Sequence, residues 1–544
     1  MADLPETQNA VQLTGPDELV LNHEKPVHRP GPHQIVGRVR VVGLCFSDLK
    51  LLKQFDKHVR KSEVVEGIDP AVLAENPAYV PGDKPAVPGH EPVIEVLEVG
   101  SEVSGVRPGE RYVIQADWRW LRTGQSNGAF GYNFEGALQE YVLLDQRLLR
   151  SPEGDSMLLP ATPSDYSDSA FALVEPWACV EISYRERQRR RMHAGGRALV
   201  VCGRDRDPGD LDAFFEHYGR PEEIVRVENR DALEKLEDGG FDDLLYFGAD
   251  AELVPLLFDK ARKDALILIV QCGEKFGAPV KTAVGAVHYR GLRLAGTPGS
   301  DPAEALAAIP ENGEPPARAR ARIVGAAGPM GTMHVVRLLS MGEEVTVHAE
   351  DLERERLDAL TKVAAPVAEE RGNRFEAYNP REEDRGAETE YELQVTTVPV
   401  PALVEEAVQK AARGGLINIF AGIPADKSGQ IDLDRYIERG LYFIGTSGSE
   451  MEDMRAVLDH VAEGRLDTNT SVAAVCGLDG AIDGIRAVEH RTIAGKIMVY
   501  PACRGMQLTP LEQLDRVSPE AAKALQGGVW NREAEEALIR TFEG

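Results

Sequence analysis

The chain has 544 residues, more than one hydrophobic core usually supports, so two to four domains are expected. Its formal charge of -28 at pH 7 is spread along the whole length, a surface that repels phosphate backbones and excludes nucleic acid as a partner. No apolar run approaches the ~20 residues of a membrane span, which excludes a membrane partner, and six widely separated cysteines fit a reducing cytoplasm better than a disulfide framework.

The first residues, Met1-Ala2-Asp3-Leu4-Pro5-Glu6, carry neither a basic nor an apolar region of the kind a secretory signal needs. Up to Glu175 the chain is rich in Val, Gly and Pro. Alternating runs such as Gln34 to Val41 and turns at Pro81-Gly82, Pro88-Gly89 and Pro108-Gly109 predict a β-rich, barrel-like domain of antiparallel strands. A proline-containing excursion from Leu51 to Val87 reads as a surface loop. Within this first third, Cys45, His90, Glu91 and Glu175 offer a thiolate, an imidazole and two carboxylates. That mixture suits a catalytic zinc ion keeping an open position, whereas a structural zinc more often takes four Cys or Cys/His ligands in close pairs. Taken singly, Cys45 and His90 would read as core residues. Cys179, one helical turn after Glu175, reads as a buried thiol, and the basic run from Arg185 to Arg191 as a solvated face.

Beyond Glu175 the pattern becomes strand-helix alternation, the signature of a parallel α/β sheet. Arg290-Gly291-Leu292 through Ser300 matches Arg439-Gly440-Leu441 through Ser449 at seven of eleven positions without a gap. Leu266-Ile267-Leu268-Ile269 and Leu416-Ile417-Asn418-Ile419 occupy corresponding strands upstream, so two tandem copies of one α/β domain are expected. Pro310 to Ala317 has the composition of a linker between them. The second copy opens with Arg322-Ile323-Val324-Gly325-Ala326-Ala327-Gly328-Pro329-Met330-Gly331 and a helical stretch through Leu339, and the next strand, Val345-Thr346-Val347, ends beside Glu350-Asp351. Glycines there admit a pyrophosphate at the helix N-terminus, and a carboxylate holds the ribose hydroxyls of NAD(H). Acids at this place repel a 2′-phosphate, although Arg354 and Arg356 lie one turn away. In the first copy the turn reads Gly203-Arg204-Asp205-Arg206-Asp207-Pro208, whose charged side chains predict a nucleotide-free domain.

These features together resemble the zinc-dependent medium-chain alcohol and polyol dehydrogenases over nearly the whole length. The resemblance is carried by Gly43-Leu44-Cys45-Phe46-Ser47-Asp48, Pro88-Gly89-His90-Glu91, Gly136 to Val142, Glu175-Pro176, Gly328-Pro329-Met330-Gly331 and Gly495-Lys496-Ile497-Met498-Val499. It is nearest to the sorbitol and threonine dehydrogenase branch and to L-sorbose 1-phosphate reductase-like proteins. It implies an α/β plus β fold: a GroES-like catalytic zinc domain over 1–180, completed by 466–505, a degenerate Rossmann-like copy over 181–310, an NAD-binding Rossmann domain over 321–465, and a C-terminal helical tail over 506–544. It further implies that Cys45, His90 and Glu175 approach one catalytic zinc, with Glu91 a ligand or a close neighbour, Ser47 starting a proton relay and Asp48 orienting the histidine. Lys50 stands where many members place a relay histidine. The stretch around Trp118 to Leu121 lacks the cysteines of the family's structural zinc lobe, so a single ion is expected. The implied reaction is hydride transfer with NAD(H) between a secondary alcohol (polyol, sugar or sugar phosphate) and a ketone. The alternatives are an amino-alcohol dehydrogenase and a regulatory protein that binds nucleotide without turnover. The duplicated copy is expected to stand in for a partner subunit, as an internal pseudo-dimer in a monomer or within a homo-oligomer, because a bare strand edge invites pairing.

Overall fold

Alternating apolar residues place β1 (Gln34–Gly43) in the middle of a sheet, and the chain leaves it at Leu44 to form α1 (Asp48–Gln54). In the computed structural model, residues 4–542 are described except 164, 204, 205, 207, 209, 384–388 and 447. The first three residues, Arg204, Asp205 and Asp207 of the first turn, and Ser447 of the repeat therefore lie outside the described residues. Two compact units divide the chain: Met1–Ala178 with Ser449–Gly544, and Cys179–Gly448. The helix Met451–Ala462, which the sequence reading placed in the NAD-binding domain, falls with the first unit.

In the first unit, β2 (Glu91–Val99), β3 (Arg111–Ile114), β4 (Tyr141–Asp145) and β5 (Leu158–Pro160) follow β1, and α2 (Val174–Arg185) begins within this unit. The excursion after Leu51 is more than a surface loop. It carries the helix Pro70–Ala74, and the fully buried Lys61 donates to the carbonyls of Val80 and Lys84. Asp117–Thr123, in place of a cysteine lobe, pairs with Asn127–Ala129 and with Val64–Glu66 in a small antiparallel sheet.

The second unit holds two parallel sheets. The first contains β6 (Arg197–Cys202), β7 (Glu223–Val227), β8 (Phe241–Phe247), β9 (Ala261–Val270) and, beyond β10 (Val280–Thr282) and α3 (Val284–Tyr289), β11 (Arg293–Thr297), in the order β7-β6-β8-β9-β11. The next contains β12 (Arg320–Val324), α4 (Pro329–Met341), β13 (Thr346–Glu350), β14 (Arg374–Tyr378), β15 (Tyr391–Thr396) and β16 (Ala411–Ile419). After β17 (Gly429–Ile431) and α5 (Leu433–Glu438) comes β18 (Tyr442–Ile444), giving the order β14-β13-β12-β15-β16-β18. Both sheets are Rossmann-like, and β10 pairs antiparallel with β17 between them. The segment read as a linker is packed: Gly313 donates to Tyr184 O, and a side chain there would collide with Ser183 O. Arg189, from the basic run, donates to the buried Asp243 carboxylate (2.5 Å) instead of facing solvent alone.

The chain then completes the first sheet with β19 (Val472–Cys476), β20 (Lys496–Val499) and β21 (Thr509–Pro510), in the order β5-β3-β2-β1-β20-β19-β21, with β4 also on β1. The last helix, α6 (Arg532–Phe542), turns Glu535 inward. Its carboxylate accepts from the backbone of Asp168 (2.6 Å) and Ser169 (2.9 Å) and from Tyr500 Oη (2.8 Å), which satisfies donors that a helix start would otherwise leave orphaned. Among the described residues no helix is long and apolar enough to cross a membrane.

Candidate active site

The end of β1 sets the position of the metal-ligating candidates. Gly43 is flanked by Glu91, the first residue of β2, and by Met498 of β20, so Cys45, Glu91 and Lys496 are brought together by three adjacent strands. A side chain at Gly43 would collide with Glu91 Oε2, which explains the glycine. Ligand atoms of Cys45, His90 and Glu91 all lie within 4.8 Å of one another, the one such group of three among the described residues. Thiolate, imidazole and carboxylate at that spacing fit a zinc ion.

Asp48, in the first turn of α1, holds the cluster from behind. Its Oδ1 accepts from His90 Nδ1 (2.9 Å) and its Oδ2 from the backbone of Cys45 (3.2 Å), which leaves His90 Nε2 to face the thiol. Burial acts to lower the His90 pKa, but the Asp48 carboxylate, with smaller help from Tyr132 and Cys45, holds it well above the usual histidine range. Ser47 Oγ donates to Cys45 Sγ (3.1 Å) and lies 3.2 Å from His90 Nε2. Lys50, one turn along α1 from Ser47, is exposed. Glu175 and Cys179 fall outside the three-residue cluster. Burial, with repulsion from Glu91 and Asp117, raises Glu175 to about 7 against the pull of His90 and Lys496.

Two neighbours had no signal that singled them out in the sequence. Lys496 is 4% exposed and its Nζ sits 2.7 Å from Glu91 Oε1 and 2.6 Å from Oε2; the Oε1 contact alone has hydrogen-bond direction. Burial works to lower its pKa, yet Glu91, Cys45 and Glu175 together raise it and keep the ammonium charged. The buried Tyr132 ring lies 5.7 Å from the His90 ring and 5.3 Å from His58. Lys496 entered the sequence reading only within the motif Gly495 to Val499, and Tyr132 did not enter it.

The glycine-rich turn of the second unit joins β12 to α4. Gly325 has φ 78°, and a Cβ on it would strike Thr397 and Val398, so no other residue fits. Gly331 packs α4 against Gly325 O. Over Gly328, the N-cap of α4, a Cβ would meet only ordinary contacts, and no side chain caps the helix; Pro329 follows at its first position, then Met330. That is an open, donor-rich helix start suited to a pyrophosphate. The two acids separate. Glu350 is buried, and its carboxylate is held by Arg322 (2.7 and 2.8 Å) and by Tyr378 Oη, so the expectation that it faces a ribose is revised. Asp351 stands at the turn, where its Oδ2 accepts from Ala327 N (3.2 Å). Arg356 donates to Ala327 O (3.0 Å) and so lies across the same turn.

Residues 31–153 match the family model described as alcohol dehydrogenase GroES-like domain. Over this segment the chain is similar to an alcohol dehydrogenase GroES-like domain. The L-sorbose 1-phosphate reductase of Klebsiella pneumoniae is 30% identical over 149 residues, 27% of this chain and 35% of that protein. The sorbitol dehydrogenase of Halalkalibacterium halodurans is 26% identical over 167 residues, 29% of this chain and 39% of that protein. The chain thus spans a little over a third of the length of these curated relatives. Among solved structures, 2R,3R-butanediol dehydrogenase from Bacillus subtilis aligns with a TM-score of 0.52 at 17% identity, covering 91% of this chain and all of that one, a likeness of fold. The GroES-like segment contains Cys45, Ser47, Asp48, Lys50, His90, Glu91 and Tyr132, while Glu175, Lys496 and the glycine-rich turn lie outside it.

Proposed function

We propose that this chain is a zinc-dependent dehydrogenase that interconverts a secondary alcohol of a polyol, sugar or sugar phosphate and the corresponding ketone with NAD(H). The observation that carries the proposal is the convergence of Cys45, His90 and Glu91 within 4.8 Å beside Ser47 and Asp48. Relatives named for sorbitol and for L-sorbose 1-phosphate support the polyol and sugar class. Cys45, His90 Nε2 and Glu91 would hold the zinc, with Glu175 close by. When bound there, zinc supplies Lewis acidity that favours a substrate alkoxide at neutral pH or polarises a ketone.

The chain's own side chains do the rest. Asp48 engages Nδ1 and so orients the ring with Nε2 toward Cys45, where Nε2 would give up its proton to ligate zinc. Lys496 neutralises part of the negative charge that Cys45, Glu91 and Glu175 concentrate in one buried place. Ser47 Oγ, placed between the thiol and the imidazole, accepts the substrate proton as it releases its own toward solvent, on the helix α1 that also carries the exposed Lys50. At the nucleotide turn, Gly325, Gly328 and Gly331 admit the pyrophosphate to the start of α4, and Asp351 receives the ribose hydroxyls. Arg322 and Tyr378 occupy Glu350 and keep it structural.

Metal analysis of the purified chain, paired with nicotinamide absorbance over a panel of polyols, sugar phosphates and simple secondary alcohols, tests the reading. One zinc per chain with turnover on a member of the panel is expected. An unchanged zinc content in Cys45→Ala would remove the proposed ligand set, and nucleotide binding without turnover in the zinc-loaded protein would remove the enzyme.

A further inference from the structure

Where the two parallel sheets of the second unit meet, several contacts have a counterpart. From residue 280 to 297 each position corresponds to the one 149 residues later, as Arg290-Gly291-Leu292 corresponds to Arg439-Gly440-Leu441. The short strands β10 and β17 are such a corresponding pair, and they hydrogen-bond to each other. Their register sets Val280 against Ile431, Thr282 against Gly429, and Lys281 against Gln430, its own counterpart. The same reciprocity holds away from the strands. A Cβ on Gly296 would strike Ile437, while one on the corresponding Gly445 would strike the backbone of His288, the counterpart of Ile437. Gly285 and its counterpart Asp434 both reach across the junction, by different bonds: Gly285 N donates to Lys427 O, whereas the Asp434 carboxylate accepts from the backbone of Phe276 (3.0 Å) and Gly277 (2.8 Å).

A contact in which the same patch meets itself is isologous, the arrangement of a two-fold symmetric dimer, and chance packing of unlike domains would not reciprocate it pair by pair. The apolar side chains obey the same rule. The counterparts Val284 and Leu433, and Leu294 and Phe443, are buried in one continuous cluster that also holds the facing pair Val280 and Ile431. Tyr436 Oη bridges both edge strands, donating to Leu294 O on β11 (2.7 Å) and accepting from Phe443 N on β18 (3.0 Å). The chain path shows how the first sheet came to lie there. Gln188, after α2, donates to Glu311 O (2.8 Å), so the chain leaves and re-enters at one point, and residues 189–310 form an insertion there.

We infer that residues 189–310 act as a built-in second subunit. They cover β17, α5 and β18 at the edge of the six-stranded sheet, which would otherwise take a second copy of this chain, and the protein is complete as a monomer. The inference rests on the packing inside the second unit and not on the dehydrogenase reading.

Light scattering of the full-length protein at micromolar and at tens-of-micromolar concentration is expected to give one species of 59.5 kDa. A species of twice that mass at either concentration overturns the inference. The doubly substituted Lys281→Cys, Gln430→Cys chain tests the pairing itself. Both positions are exposed, and directly opposed residues of an antiparallel pair lie about 4.5–5.5 Å apart at Cα, within the span of a disulfide. Oxidation is expected to link the two within one chain, leaving the mass on a non-reducing gel unchanged while both thiols disappear. A covalent dimer, or two thiols that stay reactive under oxidation, overturns it. The unsubstituted protein's mass decides the question even if the double variant fails to fold.

Discussion

At the scale of single residues, the ligand candidates were legible because His90, Glu91 and Glu175 adjoin a glycine or proline, Cys45 follows Gly43 by two, and together they mix thiolate, imidazole and carboxylate. Lys496 was not legible, because it reaches Glu91 across 405 residues through a register that no local pattern encodes. With 0% exposure at Glu91 and 4% at Lys496, the pair is a buried ion pair, costly to make and costlier to break. Lys496→Met leaves a buried carboxylate uncompensated and is expected to lower stability by about 3–5 kcal/mol in denaturant titration. Adding Glu91→Gln should restore most of that loss, and a single variant as stable as the parent would refute the pairing. Glu350 and Asp351 teach a related lesson. Successive residues of a strand face opposite ways, so a motif with two acids in a row cannot say which one leaves the sheet. Asp351→Ala is expected to raise KM for NADH about tenfold, the ~1.4 kcal/mol typical of a lost charged hydrogen bond, and to narrow any preference over NADPH. Glu350→Gln should instead cost stability through Arg322, with KM little changed. Steady-state kinetics with both cofactors separates the two acids, and the reverse outcome would return Glu350 to the ribose.

At the scale of elements, α2 and α4 are joined by a buried polar seam that the sequence concealed because its partners sit far apart. Arg337 donates to Glu181 (3.1 Å) and to Glu314 (2.7 Å), and its guanidinium lies 4.0 Å from the centre of the Tyr184 ring. Tyr184 Oη in turn hydrogen-bonds with His334 Nδ1 (2.8 Å). Strand and helix periodicity gave α4 its position, but helical pattern alone marks His334 and Arg337 only as interruptions of an apolar face. Burial, with repulsion from Arg337, lowers His334 to about 3. The neutral ring is therefore favoured in the folded state. The stabilisation is full above the unfolded value of about 6.5 and is lost progressively as pH falls through that value toward 3. Between pH 7 and pH 5 it should cost about 2 kcal/mol. His334→Gln keeps an acceptor for Tyr184 without the titration. Its stability is expected to change less over this range than the parent's, and equal slopes in chemical denaturation at the two pH values would exclude His334 as the cause.

At the scale of the whole molecule, the repeat was readable in advance because Arg-Gly-Leu and the glycines after it mark a turn that each sheet needs. Which strands each sheet keeps was not readable, since strand order is set by long-range pairing. The sheet β14-β13-β12-β15-β16-β18 has six strands, whereas β7-β6-β8-β9-β11 has five among the described residues and lacks a counterpart of β14 beyond β7. The shortfall falls in the half where a dinucleotide's adenosine would lie. After β12, only four residues precede the 13-residue helix α4, whereas after β6 the next helix, Asp212–Tyr218, is short and begins ten residues on, with Arg206 paired to Glu274 in between. Among the described residues the first sheet thus offers neither the tight glycine turn nor a long helix start at which a pyrophosphate could settle. Fluorescence titration with NADH is expected to saturate at one nucleotide per chain. Gly325→Val, which forces a side chain into Thr397 and Val398 at a positive φ, should weaken that binding tenfold or more, ~1.4 kcal/mol at the least. Two equivalents bound per chain, or full-affinity binding left in Gly325→Val, would place a second nucleotide on the sheet that begins at Arg197. The insertion would then be a working site as well as a covering face.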